Sequence, residues 1–450
     1  MARTTLARGA IAATIPLAAA IALAACSGGD ETTATSSTTS SSSSDAATGT
    51  GGGGGAATGT GGGATTGTGG SGGTTNPPYN PAKDAPQVVT YGGKVLTSPK
   101  IQLIGYASDP MLPEVEKFIQ ELGTTSTWSQ QTAEYGVGAF TALPAIALPE
   151  TPPATIDDDT GNVTPFEANL AAQLSGPSPA WGAADASTVY LFLAPMGTDV
   201  LSAGHCCTDF LGYHWQADVG ATTVPYSIVC NCPPVMGDTL TPLQWVTTTV
   251  IHEMVEAATD PFAGSDTAYA QSDDDHIAWT EFTGGEVADM CEWNEDTNVI
   301  PPGATYMIQR SWSNAAAKAG KNPCVPAPDA PYFNSIPVLS PVTLPYYGYK
   351  VPTQGVKIPV GEKATIDVQL YSEAPTTGPW TITAWDYEDY FGSGSPRLQL
   401  SLDKGSGQNG DTVKLTIEVL KDNKGLGGEL FILESNLGGQ QNLSVGVVVN

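Results

Sequence analysis

The last third of the sequence repeats one pattern, in which apolar and polar residues alternate along short segments separated by Gly, Asn and Asp. A β-strand points successive side chains to opposite faces, so each segment should bury one face and expose the other. The segments with this pattern are 364–370, 378–385, 397–402, 412–419, 428–435 and 442–449. A chain that contains so many short alternating segments cannot be all-helical.

These segments predict an all-β, immunoglobulin-like sandwich over residues 329–450, because strands of this length and spacing are typical of that architecture. The region contains no His and no Cys, so a catalytic role for it is not expected. We expect it to act in binding or spacing, and contact with glycan or the cell wall is a candidate interaction.

The other end of the chain has the features of an export signal. Two Arg residues precede an apolar stretch over 11–25, which is shorter than the roughly 20 residues that a membrane-spanning helix needs. The tetrapeptide Leu-Ala-Ala-Cys at 23–26 resembles a bacterial lipobox. We therefore predict a signal peptide over 1–25 and a lipid on Cys26, which would anchor an exported protein to the outer surface or periplasmic side of a bacterial membrane. The alternative is an ordinary signal peptide with an incidental Cys.

Residues 26–78 consist almost entirely of Ser, Thr, Gly and Ala. Such a segment cannot bury enough apolar surface to offset its ordering entropy, so we predict a disordered tether without a fold of its own.

The whole chain has 45 acidic and 17 basic residues and a net charge of −28. This balance excludes nucleic acid as a partner, because phosphate recognition needs clustered Lys and Arg.

Residues 79–328 mix helical and strand patterns and predict an α+β domain. The predicted strands are 100–106, 187–194 and 223–230, and the predicted helices are 112–122, 127–135, 166–174 and 243–258.

The helix over 243–258 contains the residues that most clearly suggest chemistry. Positions i and i+4 share a helix face, so His252 and Glu256 could bind one metal ion, with Glu253 beside them. This is the zincin layout H-E-x-x-H with Glu in place of the second His. Imidazole and carboxylate are both zinc ligands, and Glu253 could act as the general base that takes a proton from the attacking water. The alternative is a helix whose acidic residues are solvated and whose His is bonded to a nearby carboxylate.

A third metal ligand is expected from the segment TGGEVADMC at 283–291, which we predict to be a short helix held by a disulfide. Glu286 is the candidate ligand and Asp289 the candidate partner that orients a ligand, although the reverse assignment is equally open. Asp260 could support His252 or simply cap the helix end.

The remaining His residues have weaker claims. His214 could line the cleft and stabilise an oxyanion, or it could be a loop His bonded to backbone. His276 follows three Asp at 273–275, where it is expected to be a solvated charge partner, and this acidic run could hold calcium. His205 is expected to be structural. Two further candidates for polarising a substrate carbonyl are Tyr269 and Arg310.

Without Cys26, six Cys remain, and an even number in an exported chain favours three disulfides. We expect Cys206 or Cys207 to pair with Cys230 or Cys232, and Cys291 to pair with Cys324. The alternative is a metal cluster bound by the first four of these residues.

The order of the motifs resembles the Exordium, or phosphate-induced-protein, family and its bacterial relatives. The segments that carry the resemblance are SAGHCCTDFLGYH, VPYSIVCNC, HEMVEAATDP, AWTEFTGGEVADMC and YMIQRSWSNAA. The matching positions are His252, Glu253, Glu256, Thr259, Asp260, Pro261, Trp279, Glu286, Asp289 and Cys291. The resemblance covers most of residues 88–325 and implies a zincin-like metallopeptidase domain.

This sequence departs from that family in two respects. First, an insertion with the acidic run at 273–275 separates the metal-helix motif from the Ala-Trp segment. Second, the Gly-Tyr-His segment at 212–214 matches the bacterial members better than the plant ones. Family members on plant cell surfaces are linked to growth signalling, so the resemblance implies a fold more firmly than an activity.

The sequence thus predicts a secreted, lipid-anchored, zinc-dependent peptidase acting on a peptide or protein substrate. In this interpretation His252, Glu256 and Glu286 hold zinc and Glu253 is the general base. The alternative is a non-catalytic surface interaction or adhesion protein of the Exordium type, whose metal site is structural or vestigial.

Overall fold

The computed structural model describes residues 77–233, 239–392, 394–421 and 428–450. The predicted signal peptide over 1–25, the lipidation site at Cys26 and nearly all of the tether lie outside these ranges. The described chain is mixed α+β with more strand than helix, as the sequence predicts. Within the described ranges, no helix is both long enough and apolar enough to cross a membrane.

The first half of the described chain is built on a six-stranded sheet. Its strands in spatial order are Thr141–Ala142, Lys100–Tyr106, Thr188–Ala194, Thr222–Cys230 and Gly212–Val219, and Ile146–Leu148 also pairs with the second of these. All pairs are parallel except the last, so Gly212–Val219 is an antiparallel strand at the sheet edge. We call it the edge strand. Thr188–Ala194 is buried along its whole length, as expected of a β-branched and aromatic run in the sheet centre.

Helices cover both faces of this sheet. One face packs against Leu112–Leu122 and against Pro242–Thr259, which we call the site helix. The opposite face packs against Pro165–Gln173 through Phe166 and Leu170. The strands predicted over 100–106, 187–194 and 223–230 and the helices predicted over 112–122, 127–135, 166–174 and 243–258 are confirmed, apart from small differences at their ends.

The site helix has clear start and stop signals. Thr241 and Gln244 form a reciprocal capping box around Pro242, which satisfies N–H groups that the first turn leaves free. The helix ends before Asp260, which is followed by Pro261. Nearly all residues from the second turn onwards are buried, because the helix lies between the sheet and the surrounding loops.

Shorter elements complete this region. The small strand pairs are Val88–Thr90 with Tyr269–Ser272, Thr155–Asp157 with Asp199–Leu201, Asn298–Val299 with Ile308–Gln309, and Ser311–Trp312 with Cys324–Val325. The remaining helices of this region are Pro81–Asp84, Thr127–Thr132, Ile277–Thr283 and Asn314–Lys318, with single 3-10 turns at Ala133–Tyr135, Asp274–His276 and Asp289–Cys291. One further short helix, Tyr387–Tyr390, lies in the C-terminal region.

The C-terminal region consists of two β-sheets with a shared apolar core. One sheet contains Phe333–Pro337, Lys363–Ser372, Thr412–Val419 and Leu398–Leu402 in spatial order. The other contains Ser340–Tyr346, Tyr349–Lys357, Gln440–Val449, Glu429–Leu437, Trp380–Asp386 and Ser406–Gly407. All six predicted segments are strands, and Trp380 and Phe431 are fully buried between the sheets.

The six-stranded sheet of the C-terminal region also packs against the N-terminal region. Leu344, Val445 and Val447 belong to the same apolar core as helix Ile277–Thr283. Phe282 stacks edge-on against Tyr390 with ring centroids 5.4 Å apart. The two regions therefore share one continuous core.

Three disulfides link all six described Cys, namely Cys206–Cys230, Cys207–Cys232 and Cys291–Cys324. The expected pairing is confirmed. The alternative of a metal cluster bound by the first four Cys is wrong, because each of their thiols is bonded to another sulfur.

Candidate metal centre

The site helix and the segment after Gly284 and Gly285 bring a buried group of acidic and imidazole side chains together. His252 Nε2 lies 3.1 Å from Glu256 Oε2, one helical turn along the chain, and 3.5 Å from Asp289 Oδ1. Four zinc ligands at tetrahedral corners, each about 2.0 to 2.2 Å from the metal, are about 3.3 to 3.6 Å apart. The two distances from His252 are therefore close to the spacing of a zinc ligand set, and all three donor atoms lie within 4.8 Å of one another. We call these three residues the first ligand group.

The turn that presents Asp289 depends on glycine. Gly284 and Gly285 have φ of 109° and 92°, which side chains with a Cβ rarely adopt. Asp289 Oδ2 accepts a hydrogen bond from the Glu286 N–H, and the Asp289 N–H donates to Glu256 Oε1, each at 3.2 Å. The predicted helix over 283–291 is replaced by this turn and one 3-10 turn, so Asp289 rather than Glu286 lies against His252.

Substitution of Gly284 should loosen this turn. A Cβ at this position would lie 2.1 Å from Asp289 Oδ2, so we expect Gly284→Ala to displace Asp289 and to weaken zinc binding by about 10- to 100-fold. Competition with a zinc-sensitive dye measures the affinity. Gly361→Ala is the control, because Gly361 has a φ of 82° and a Cβ added there would meet no described atom within 4 Å. Equal zinc affinity in the two variants would contradict this assignment.

Gln309 is a site residue that the sequence does not reveal. Its Nε2 lies 2.9 Å from His252 Nδ1 and donates to the Ala288 carbonyl at 3.0 Å. It therefore fixes the ring and connects it to the turn that carries Asp289. Asp260 has a different partner, since its Oδ1 accepts from the Ala268 N–H at 2.7 Å. Gln309 is the second residue of the two-residue strand Ile308–Gln309, and a polar side chain beside Ile308 is a weak signal in the sequence.

His214 lies on the edge strand, paired with Ser227, and not in a loop. Its ring is buried, and Nδ1 lies 3.6 Å from Glu256 Oε2, 3.8 Å from Glu286 Oε2 and 3.9 Å from Glu253 Oε2. Among the described residues, its Nε2 has no hydrogen-bond partner. The strand approaches the site helix closely at Gly212, where a Cβ would lie 2.7 Å from Glu253 Oε1.

Burial dominates the electrostatics of these side chains. It raises the pKa of Glu253 to about 8 and that of Asp289 to about 6, and it raises the pKa of Glu286 well above its usual range. Burial acts in the same sense on Glu256, but the charges and hydrogen bonds of His252 and His214 together outweigh it, so the pKa of Glu256 is lowered. The pKa of His252 is raised, because nearby carboxylates outweigh the effect of burial on the imidazole.

These shifts predict that the metal-free protein loses stability as the pH rises from about 5 to 8. Glu253 keeps its proton in the folded state up to about pH 8, whereas its unperturbed value is 4.5. Glu253 therefore contributes its full stabilisation of the folded state below pH 4.5, and this stabilisation is lost as the pH rises through 8. The raised pKa of His252 acts in the same direction. Urea unfolding across this range measures the slope, which Glu253→Gln should reduce. Stability that is constant or rises with pH would contradict the shifts.

The other candidates have partners outside this group. His205 is exposed and lies 2.9 Å from Asp199, whereas His276 Nδ1 lies 2.8 Å from Asp273. Arg310 is buried in an ion pair with Asp296 at 2.8 Å. In the acidic run, Asp273 Oδ2 accepts a hydrogen bond from the Gln87 N–H, and Asp275 Oδ1 accepts one from Gln354 Nε2. The ring of Tyr269 packs against the ring of Tyr135.

The chain matches no protein-family model and no curated protein. Among solved structures, it matches domains 4 and 5 of the S-layer protein SbsC, with 15% identity, 28% of this chain and 80% of that chain covered, and a TM-score of 0.16. It also matches titin domain M3, with 8% identity, 27% of this chain and 95% of that chain covered, and a TM-score of 0.16. In the longer SbsC fragment of domains 4–9, the match covers only 14% of that chain. TM-scores this low support no statement about fold or function.

Proposed function

We propose that this protein is a zinc-dependent hydrolase that cleaves peptide bonds. The observation that carries the proposal is the convergence of donor atoms of His252, Glu256 and Asp289 within 4.8 Å of one another, with the buried carboxyl group of Glu253 next to His252 in the chain. One imidazole and two carboxylates are a suitable donor set for zinc. These three residues would hold the ion, and Glu286 would remain near His214.

The chemistry divides between the metal and the protein. Zinc, when bound, acts as a Lewis acid that polarises a carbonyl oxygen. Glu253 would accept the proton of the attacking water and later deliver it to the leaving amine. Its Oε2 is suited to this role because, among the described residues, it is buried without a hydrogen-bond partner.

His214 would act on the opposite side of the reacting carbonyl. It lies on the edge strand beside the site helix, and its Nε2 is not hydrogen-bonded to any described residue. This nitrogen could donate to the oxygen that becomes negative during the reaction. The ring would be held by the carboxylates near Nδ1.

The wider proposal places this site in a zincin-like domain related to the bacterial relatives of the Exordium family. An antiparallel edge strand beside the helix that carries the H-E-x-x-E motif supports it. The two sheets of the C-terminal region would form an immunoglobulin-like module that spaces the site from the membrane or binds glycan. Cys26 would carry the lipid that retains the exported protein at the membrane.

Metal removal tests the hydrolase proposal directly. The metal-free full chain should not cleave a mixed peptide library, and one equivalent of zinc should restore cleavage, which mass spectrometry detects. Cleavage that persists after removal of the metal would reject the metal-dependent mechanism. If zinc binds tightly and no peptide is cut, the non-catalytic interaction protein becomes the better interpretation.

A further inference from the structure

A second group of donor atoms lies beside the first ligand group. His214, Glu253 and Glu256 each offer one atom, and these atoms lie within 4.8 Å of one another. The three residues are only 9%, 3% and 4% exposed. Glu256 belongs to both groups, because its Oε2 lies between His252 Nε2 and His214 Nδ1 at 3.1 and 3.6 Å. We call His214, Glu253 and Glu256 the second ligand group.

An unpaired atom in the second ligand group points to a missing ligand. Glu253 Oε2 is buried and, among the described residues, accepts no hydrogen bond. An unsatisfied buried oxygen of this kind is costly in the folded state, so a partner is expected. The nearest basic atom described is His214 Nδ1, at 3.9 Å, which is too far for a hydrogen bond and leaves space between the two atoms.

We propose that a second divalent cation binds between His214, Glu253 and Glu256, with Glu256 shared between the two ions. This cation inhibits hydrolysis, because it occupies the Glu253 oxygen that must accept a proton. The inhibition rests on the proposed function, whereas the binding does not. Sharing one carboxylate between two cations is the arrangement of two-metal sites, in which the ions are about 3.5 to 4 Å apart.

Zinc stoichiometry of the full chain tests the second site. Equilibrium dialysis of metal-free protein against Zn²⁺, followed by elemental analysis, should give two ions per chain in two affinity steps. His214→Ala should give one. His205→Ala should still give two, because His205 is exposed and bonded to Asp199 instead of either ligand group. Glu253→Gln, which keeps the size of the side chain, should also bind one ion per chain. It provides the same test if His214→Ala does not fold.

The other outcomes overturn the proposal. One ion per chain that His214→Ala retains means that the second ligand group is empty. One ion that His214→Ala loses means that His214 belongs to the first ion. In either case, cleavage with one equivalent of zinc would leave the proposed function standing. If two ions bind and no peptide is cut at any zinc level, the second site stands and the peptidase proposal fails.

Excess zinc tests the inhibition separately. Peptide cleavage should fall at least tenfold between one and two bound equivalents, in parallel with the second binding step. Activity that stays constant across that step would overturn the inhibitory role.

Discussion

Glu253→Gln should reduce peptide cleavage by about 100- to 10,000-fold, which is the usual contribution of a positioned general base. Gln has nearly the shape of Glu but cannot accept the proton of the attacking water. Because Glu253 is not in the first ligand group, the variant should still bind the first zinc ion through His252, Glu256 and Asp289. The loss should therefore appear in kcat at one equivalent of zinc, without a matching loss of metal.

The control for this prediction is Glu362→Gln, which makes the same chemical change at an exposed position in the C-terminal region. It should cleave peptides at the wild-type rate. Kinetics at one bound zinc per chain, verified by elemental analysis, compare the two variants. Full activity in Glu253→Gln would remove the general base from the mechanism. Loss of the first zinc together with activity would instead make Glu253 a ligand of that ion.

The sequence predicts most of the C-terminal strands because each of them alternates regularly around apolar residues. It does not predict Phe333–Pro337, Ser340–Tyr346 and Tyr349–Lys357. All three contain Pro, which cannot donate a ladder hydrogen bond and weakens a strand pattern. Ser340–Tyr346 tolerates its two Pro because it lies at the sheet edge. Whether these segments form strands therefore depends on their pairing with neighbouring strands. The sequence pattern of a single segment does not contain that information.

The candidate site likewise has one part that the sequence predicts and another part that it does not predict. Helical spacing alone places His252 and Glu256 on one face, and the structure has them 3.1 Å apart. The position of His214 depends on the edge strand, whose pairing with Thr222–Cys230 brings a residue distant in sequence to the helix. The choice of Asp289 over Glu286 beside His252 depends on backbone angles at the preceding glycines. Local periodicity contains neither kind of information.

Removal of the disulfide between Cys291 and Cys324 should have the largest effect on the free energy of unfolding. Loss of a native disulfide typically costs about 2 to 5 kcal/mol. Both Cys are fully buried, and Cys291 lies two residues after Asp289. The double variant Cys291→Ala/Cys324→Ala should therefore unfold more easily and also bind zinc about 10- to 100-fold more weakly, since the turn that presents Asp289 loses its anchor.

Cys207→Ala/Cys232→Ala separates these two effects. Its disulfide spans 25 residues, compared with 33 for Cys291–Cys324, so the chain-entropy contributions should differ by only about 0.2 kcal/mol. Urea unfolding of the metal-free variants measures stability, and dye competition measures zinc affinity. We expect both variants to be destabilised and only Cys291→Ala/Cys324→Ala to lose zinc affinity. Unchanged zinc affinity in that variant would mean that the glycine turn and its hydrogen bonds hold Asp289 without the disulfide.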